Sequence, residues 1–181
     1  GTETTAAAGC RTDTAPSARP DGTEQPPEQD LDPAKTYELV FATSCGSFTV
    51  TLDQKLAPKT AASLVSLARK KFFDGTVFHR IVPGFVIQGG DPTQAGSGGP
   101  GYSTVDKPPA GTAYTKGVFA MAKSGAEAPG TSGSQFFVVT AADAGLPPDY
   151  AVVGKVTAGI DTVERIGALG DPATEQPLQP V

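Results

Sequence analysis

In the stretch FHRIVPGFVIQGGDP, residues 78–92, one arginine stands among apolar side chains. Arg80 is flanked by Phe78, Ile81, Val82 and Phe85, with a Gly-Gly-Asp-Pro turn behind it. A guanidinium stays charged and donates hydrogen bonds without accepting any, so its chemistry is stabilisation of a nearby electron pair rather than proton transfer. The blander reading is a snorkelling strand residue whose stem covers apolar surface. His79 is the only histidine. Strand alternation turns it away from the Arg80 side, and with no second ligand or partner carboxylate it reads as a packed residue. Asp91 serves the turn. No group of residues has metal-ligand spacing, and no cofactor is expected.

These residues need elements to hold them. Residues 36–43 (TYELVFAT) and 46–53 (GSFTVTLD) alternate apolar with polar around Ser44-Cys45-Gly46, the pattern of a β-hairpin. From Ala57 the period changes: Ala61, Leu64, Val65 and Ala68 share one face of a helix ending near Lys71, with Thr60 as its expected N-cap behind Pro58. TVFHRIV and FVIQGGD return to strand character on either side of Pro83-Gly84, and residues 92–113 read as loop. GVFAMAKS, SQFFVVT and YAVVGKVT follow as short apolar strands, and GIDTVERIGALG as a second amphipathic helix. Short strands without βαβ alternation predict a mostly β, β-rich α+β domain: a closed or nearly closed antiparallel barrel with helices over its ends.

The 181 residues suffice for one core. Residues 1–34, rich in Thr, Ala, Pro and acids, read as a flexible arm or linker ahead of a domain over 35–181. The net charge is −5 with no basic stripe, which argues against nucleic acid as a partner. Cys10 in the arm and Cys45 in the hairpin turn are read as a disulfide that pins the arm, implying an oxidising, extracytoplasmic compartment. Two unrelated thiols are the alternative. A lipoprotein processing site at AAGC ranks third, because GTETTA lacks the apolar segment such a signal needs.

FHRIVPGFVIQGGDP, then GSGGPGY at 96–102, GVFAMA at 117–122, GSQFFVVT at 133–140 and VVGKV at 152–156 stand in an order and spacing that resemble the cyclophilin-type peptidyl-prolyl cis-trans isomerases. The resemblance implies an eight-stranded antiparallel barrel capped by two helices, with a substrate groove on the barrel's outer face. By position, Arg80 matches the catalytic arginine. Gln88, and Phe137 on the pocket floor, complete the catalytic set. Phe85, Met121, Ala122, Lys123, Gln135, Leu146 and Tyr150 match substrate-binding positions. Lys123 stands where many members have Asn. Gly145 replaces a tryptophan of many eukaryotic members, which speaks against tight cyclosporin binding. Tyr150 replaces a histidine, as in bacterial-type sequences. EQPLQPV stops where the family's last strand begins, so that strand is expected to be cut short.

The resemblance implies a monomeric isomerase acting on proline-containing peptides and unfolded clients, assisting folding of secreted or envelope proteins. From a different class, the alternative is a proline-docking module or holdase with little turnover. A barrel holding a small molecule inside is the weakest reading, because Phe48, Phe78 and Phe136 would fill so small a lumen.

Overall fold

The first hairpin forms where alternation demands it. Strands β1 (Glu38–Thr43) and β2 (Gly46–Leu52) pair in antiparallel register, Leu39 opposite Val50 and Phe41 opposite Phe48. The Thr43 hydroxyl closes the turn, donating to the Gly46 carbonyl at 2.7 Å and accepting the Cys45 N–H at 3.0 Å. Helix α1 (Pro58–Arg69) follows, burying Ala61, Leu64, Val65 and Leu67. Its cap differs from the expectation. Ala57 occupies the N-cap, Thr60 lies inside the first turn, and the Thr60 N–H donates to the carboxylate of Asp106 at 2.6 Å. A loop acid 46 residues away supplies what a local hydroxyl was expected to supply.

The computed structural model describes residues 9–181. Beyond α1 come β3 (Arg80–Val82), β4 (Val86–Gly89), β5 (Thr104–Val105), β6 (Val118–Met121), β7 (Thr131–Ser132), β8 (Phe136–Val139), β9 (Val152–Ala158) and helix α2 (Ile160–Gly167). Seven strands form one sheet, in the order β1-β2-β9-β6-β8-β4-β3, and β5 pairs with β7 apart from it. All pairings are antiparallel.

The sheet curls around a core of Phe48, Phe78, Phe119 and Phe136, with Phe78 and Phe119 both within 6.0 Å of Phe136 between ring centroids. The lumen is filled as its side-chain sizes foretold. Buried Val163 and Ile166 seat α2 against this core.

Among the described residues the fold is mostly β with two helices, a curled half-barrel rather than the closed eight-stranded barrel expected. β1 and β3 remain its edges. Residues 170–181 run beside β3, giving the Glu175 carbonyl to Ile81 and the Val181 carbonyl to Phe78, but make no ladder. Pro172, Pro177 and Pro180 lack the N–H groups a strand there would use.

Residues 10–34 carry no helix or strand, in keeping with their composition, yet they lie along the body. A disulfide joins Cys10 to Cys45 across a separation of 35 residues. Arg11 donates its N–H to Ser44, Arg19 to Pro92, Gly22 to Gly99 and Glu24 to Pro100. The Arg19 guanidinium reaches the Phe72 carbonyl at 2.6 Å. Backbone bonds to fixed partners hold a segment that has no apolar periodicity of its own.

Closing a loop of that length removes denatured-state entropy, so Cys45→Ser is expected to lower the free energy of unfolding by about 2–4 kcal/mol. Urea denaturation of the variant, beside the reduced unmodified protein, measures it.

Candidate active site

Strand register places the key side chains in one row. Arg80 on β3 lies opposite Gln88 on β4, Gln88 opposite Phe137 on β8, and Phe137 opposite Ala120 on β6. Directly opposed residues share a face, so Arg80, Gln88 and Phe137 stand together on the outer surface of the sheet. One step along β8, Phe136 points into the core and Phe137 joins the outer cluster with Val86, Tyr114 and Val139.

This row floors a cavity of about 280 Å³. Phe85, Leu146 and Tyr150 wall it, Ala122 and Lys123 form a rim, and Arg80 and Gln88 supply the polar edge. Phe137 and Tyr150 meet edge to face at 5.5 Å. The Lys123 ammonium lies 5.6 Å from the Tyr150 ring centroid while donating to the Ser124 and Glu127 carbonyls.

Two site residues stand elsewhere. Met121, expected to bind substrate, is fully buried in the inner core, because alternation on β6 sends Phe119 and Met121 inward and Ala120 outward. Gln135 sits beside the cavity and lines its neighbour instead.

A single hydrogen-bonded relay joins the polar groups. Arg80 donates from Nε to Glu175 at 2.7 Å and from Nη1 to the Gln88 side-chain oxygen at 3.3 Å. Gln88 donates to Gln135 at 3.1 Å, and Gln135 to the Gly98 carbonyl at 2.9 Å. The Arg80 and Glu175 side chains are 40% and 42% exposed, so solvent screens their attraction and the pair orients more than it stabilises.

Sequence reasoning missed Glu175, which lies in a tail without periodicity. It also missed Tyr114, whose ring is wholly buried beneath the cavity. The Tyr114 hydroxyl donates to the Tyr150 carbonyl at 2.6 Å and accepts its N–H at 3.1 Å, fixing that wall. Burial pushes the Tyr114 phenol above its ordinary pKa.

The relay ends on a loop organised by Asp91, which is fully buried. One carboxylate oxygen accepts the Thr93 N–H and hydroxyl, both at 2.8 Å. The other accepts the N–H groups of Gly96 at 2.6 Å and Gly98 at 3.2 Å. Burial opposes the charge, but these bonds outweigh it and hold the carboxyl below its ordinary pKa. A Cβ at Gly98 would collide with Asp91 and Thr93, so only glycine allows the loop this approach. His79 packs behind the row. Burial lowers its pKa against the opposing pull of the Asp91 charge, with a smaller contribution from the Arg80 charge. A larger cleft, about 760 Å³, runs along the β1 edge and includes none of these relay residues.

The family model "Cyclophilin type peptidyl-prolyl cis-trans isomerase/CLD" matches residues 38–181. Among curated proteins, peptidyl-prolyl cis-trans isomerase-like 1 of Aspergillus fumigatus is 38% identical over 148 residues, 80% of this chain and 90% of its own. A peptidyl-prolyl cis-trans isomerase of Arabidopsis thaliana is 36% identical over 169 residues, 91% of this chain and 94% of its own. A solved cyclophilin-type peptidyl-prolyl cis-trans isomerase of Cryptosporidium parvum superposes with a TM-score of 0.73 at 28% identity, covering 81% of this chain and 93% of its own. Its structure in the presence of the dipeptide Ala-Pro gives 0.72 at 28% identity over 80% and 93% of the two chains.

Because the folded Asp91 carboxyl titrates below its ordinary value of about 3.8, its contribution to stability is complete above that pH and falls as acid drives the folded group toward protonation. Asp91→Asn puts an amide where two N–H groups need an acceptor. It is expected to cost about 1–3 kcal/mol at pH 7 and to flatten the acid limb of the stability curve below pH 4, as urea titrations across pH will show.

Proposed function

This chain belongs to the cyclophilin-type peptidyl-prolyl cis-trans isomerase family and is an isomerase of X-Pro peptide bonds; we propose that Arg80, set across from Gln88 and Phe137, is the group that lowers the rotational barrier. The observation that carries this reading is the relay geometry. Glu175 occupies Nε of Arg80 and Gln88 occupies Nη1, while Nη2 has no protein partner among the described residues, and Arg80 lines the apolar cavity.

Rotation about X-Pro breaks amide resonance and crosses a barrier of roughly 18–20 kcal/mol. No covalent bond is made or broken, so the catalyst has to bind the twisted amide better than either planar form. In the twisted state the proline nitrogen pyramidalises and regains a lone pair, which a guanidinium N–H can meet. In the planar amide that pair is delocalised, so the interaction favours the transition state. The cavity under Phe85, Leu146 and Tyr150 has the size and apolar character to hold a pyrrolidine ring on the Phe137 floor. Gln88 and Gln135, each already oriented by a neighbour, hold the peptide backbone while the other side of the bond turns. The Ala-Pro dipeptide present with the Cryptosporidium relative supports proline-containing peptides as the ligands here.

The clients proposed are unfolded segments of proteins outside the cytoplasm, and the chain is proposed to act as a monomer. The Cys10–Cys45 disulfide supports that location, since such bonds persist in oxidising compartments. The missing tryptophan at Gly145 supports weak cyclosporin binding.

Exchange spectroscopy on an Ala-Pro peptide tests the role of Arg80. Arg80→Ala is expected to lower kcat/KM about a hundredfold or more while peptide affinity changes little, and Arg80→Lys to restore little, because an ammonium lacks the planar fork. Tight peptide binding without catalysis by the unmodified protein would identify a docking module instead. Glu175→Gln keeps a hydrogen-bond acceptor but removes the charge that aligns Arg80. Its kcat is expected to fall about two- to fivefold at nearly constant KM, a split that loss of substrate contacts would not produce.

A further inference from the structure

Beside the ring cavity lies a second one of about 650 Å³, which shares Gln88, Ala122 and Lys123 with it and takes Gln135 into its lining. A peptide whose proline occupies the first therefore carries a neighbouring side chain toward the second. Part of this second wall is Asp21, supplied by the arm.

The arm is built onto this wall. Gln94 donates to the Pro16 carbonyl at 2.9 Å, Gly22 to Gly99 and Glu24 to Pro100, each also at 2.9 Å, so residues 16–24 follow the outer side of the loop at 92–101. A Cβ at Gly22 would lie 2.8 Å from Pro100, which shows how closely the two segments approach. Asp21 accepts the Gly99 N–H on Oδ1 at 2.9 Å, and its Oδ2 has no bond among the described residues.

The wall carries two other charges, Glu127 and Lys123. Glu127 accepts the Ser124 N–H at 2.8 Å, and the Lys123 ammonium is held by two carbonyls over the Tyr150 ring. Glu127 and Lys123 are opposite in sign and offset one another, so the net charge of the wall is that of the Asp21 carboxylate.

We propose that Asp21 is a specificity-determining residue for the isomerase, forming an anionic subsite that favours peptides with a lysine or arginine side chain flanking the X-Pro pair. This rests on the ring cavity being the proline site. The arm is then part of the substrate surface, and the disulfide at its start helps hold a selectivity element in place. Because the subsite is open to solvent, its effect is modest and weakens with salt.

The test uses the full chain and two series of Ala-Pro peptides, with Lys, norleucine or Glu on the amino side of Ala-Pro in one and on the carboxyl side in the other. At low ionic strength, kcat/KM for Lys is expected to exceed that for Glu by about two- to fivefold in one series. Asp21→Asn keeps the oxygen that accepts from Gly99 and should bring the ratio close to parity. Asp161→Asn on α2 changes the net charge equally and should leave the ratio intact.

Equal turnover of Lys and Glu peptides by the unmodified protein, or a preference that survives Asp21→Asn, would overturn the proposal. Chemical-shift titration of the same peptides yields the ratio as affinities. A protein that binds every peptide and isomerises none would count against the catalytic reading, while the Asp21 comparison would still decide the subsite.

Discussion

An arginine can act on a twisted amide only if its guanidinium is held still, and here that constraint organises structure far from the cavity. Arg80 is clasped at Nε by Glu175 and at Nη1 by Gln88, and Gln88 is held in turn through Gln135 to the Gly98 carbonyl. Five separate segments meet in this relay: β3, β4, the stretch leading into β8, the tail after α2, and the loop that Asp91 gathers. Shifting any of them would re-aim a donor whose use depends on position to within a fraction of an ångström.

The sheet meets the constraint by separating two tasks on adjacent residues. Phe136 fills the lumen against Phe78 and Phe119, while Phe137 floors the outer cavity beside Tyr114 and Tyr150. The proposed site therefore lies on the outside of a packed sheet, whose interior provides rigidity and no access. Tyr114 shows the same economy: its ring supports Phe137, and its hydroxyl ties both backbone groups of Tyr150. Asp91 does the equivalent for the loop, with a buried charge made tolerable by four hydrogen bonds, three of them from backbone N–H groups.

Much of this was legible in the residues. Alternation located the first hairpin and the opposed faces of Phe136 and Phe137, and the change of period located α1. The motif order led to Arg80, Gln88, Phe85, Phe137, Leu146 and Tyr150, which the fold gathers around one cavity and its edge. Met121 was misread because a motif match carries no information about which face a residue takes, and strand parity on β6 turns it inward. The cap of α1 was misread because an acid from a remote loop took the place of the local Thr60. The barrel was expected to close, but a tail with three prolines runs past β3 without forming a ladder.

Local patterning by itself determined the element types, the family motifs and the presence of one charged side chain among apolar ones, because those depend on period and residue chemistry along the chain. Tertiary structure alone decided which distant groups would serve that charge. Glu175 lies 95 residues from Arg80, Gly98 lies 37 from Gln135, and Asp21 lies 78 from Gly99. Hydrogen bonds of that range leave no periodic trace, since their geometry exists only once the sheet has curled and the arm and tail have been laid against it. Whether an aperiodic segment hangs free or joins a site is set by the partners the fold presents to its backbone.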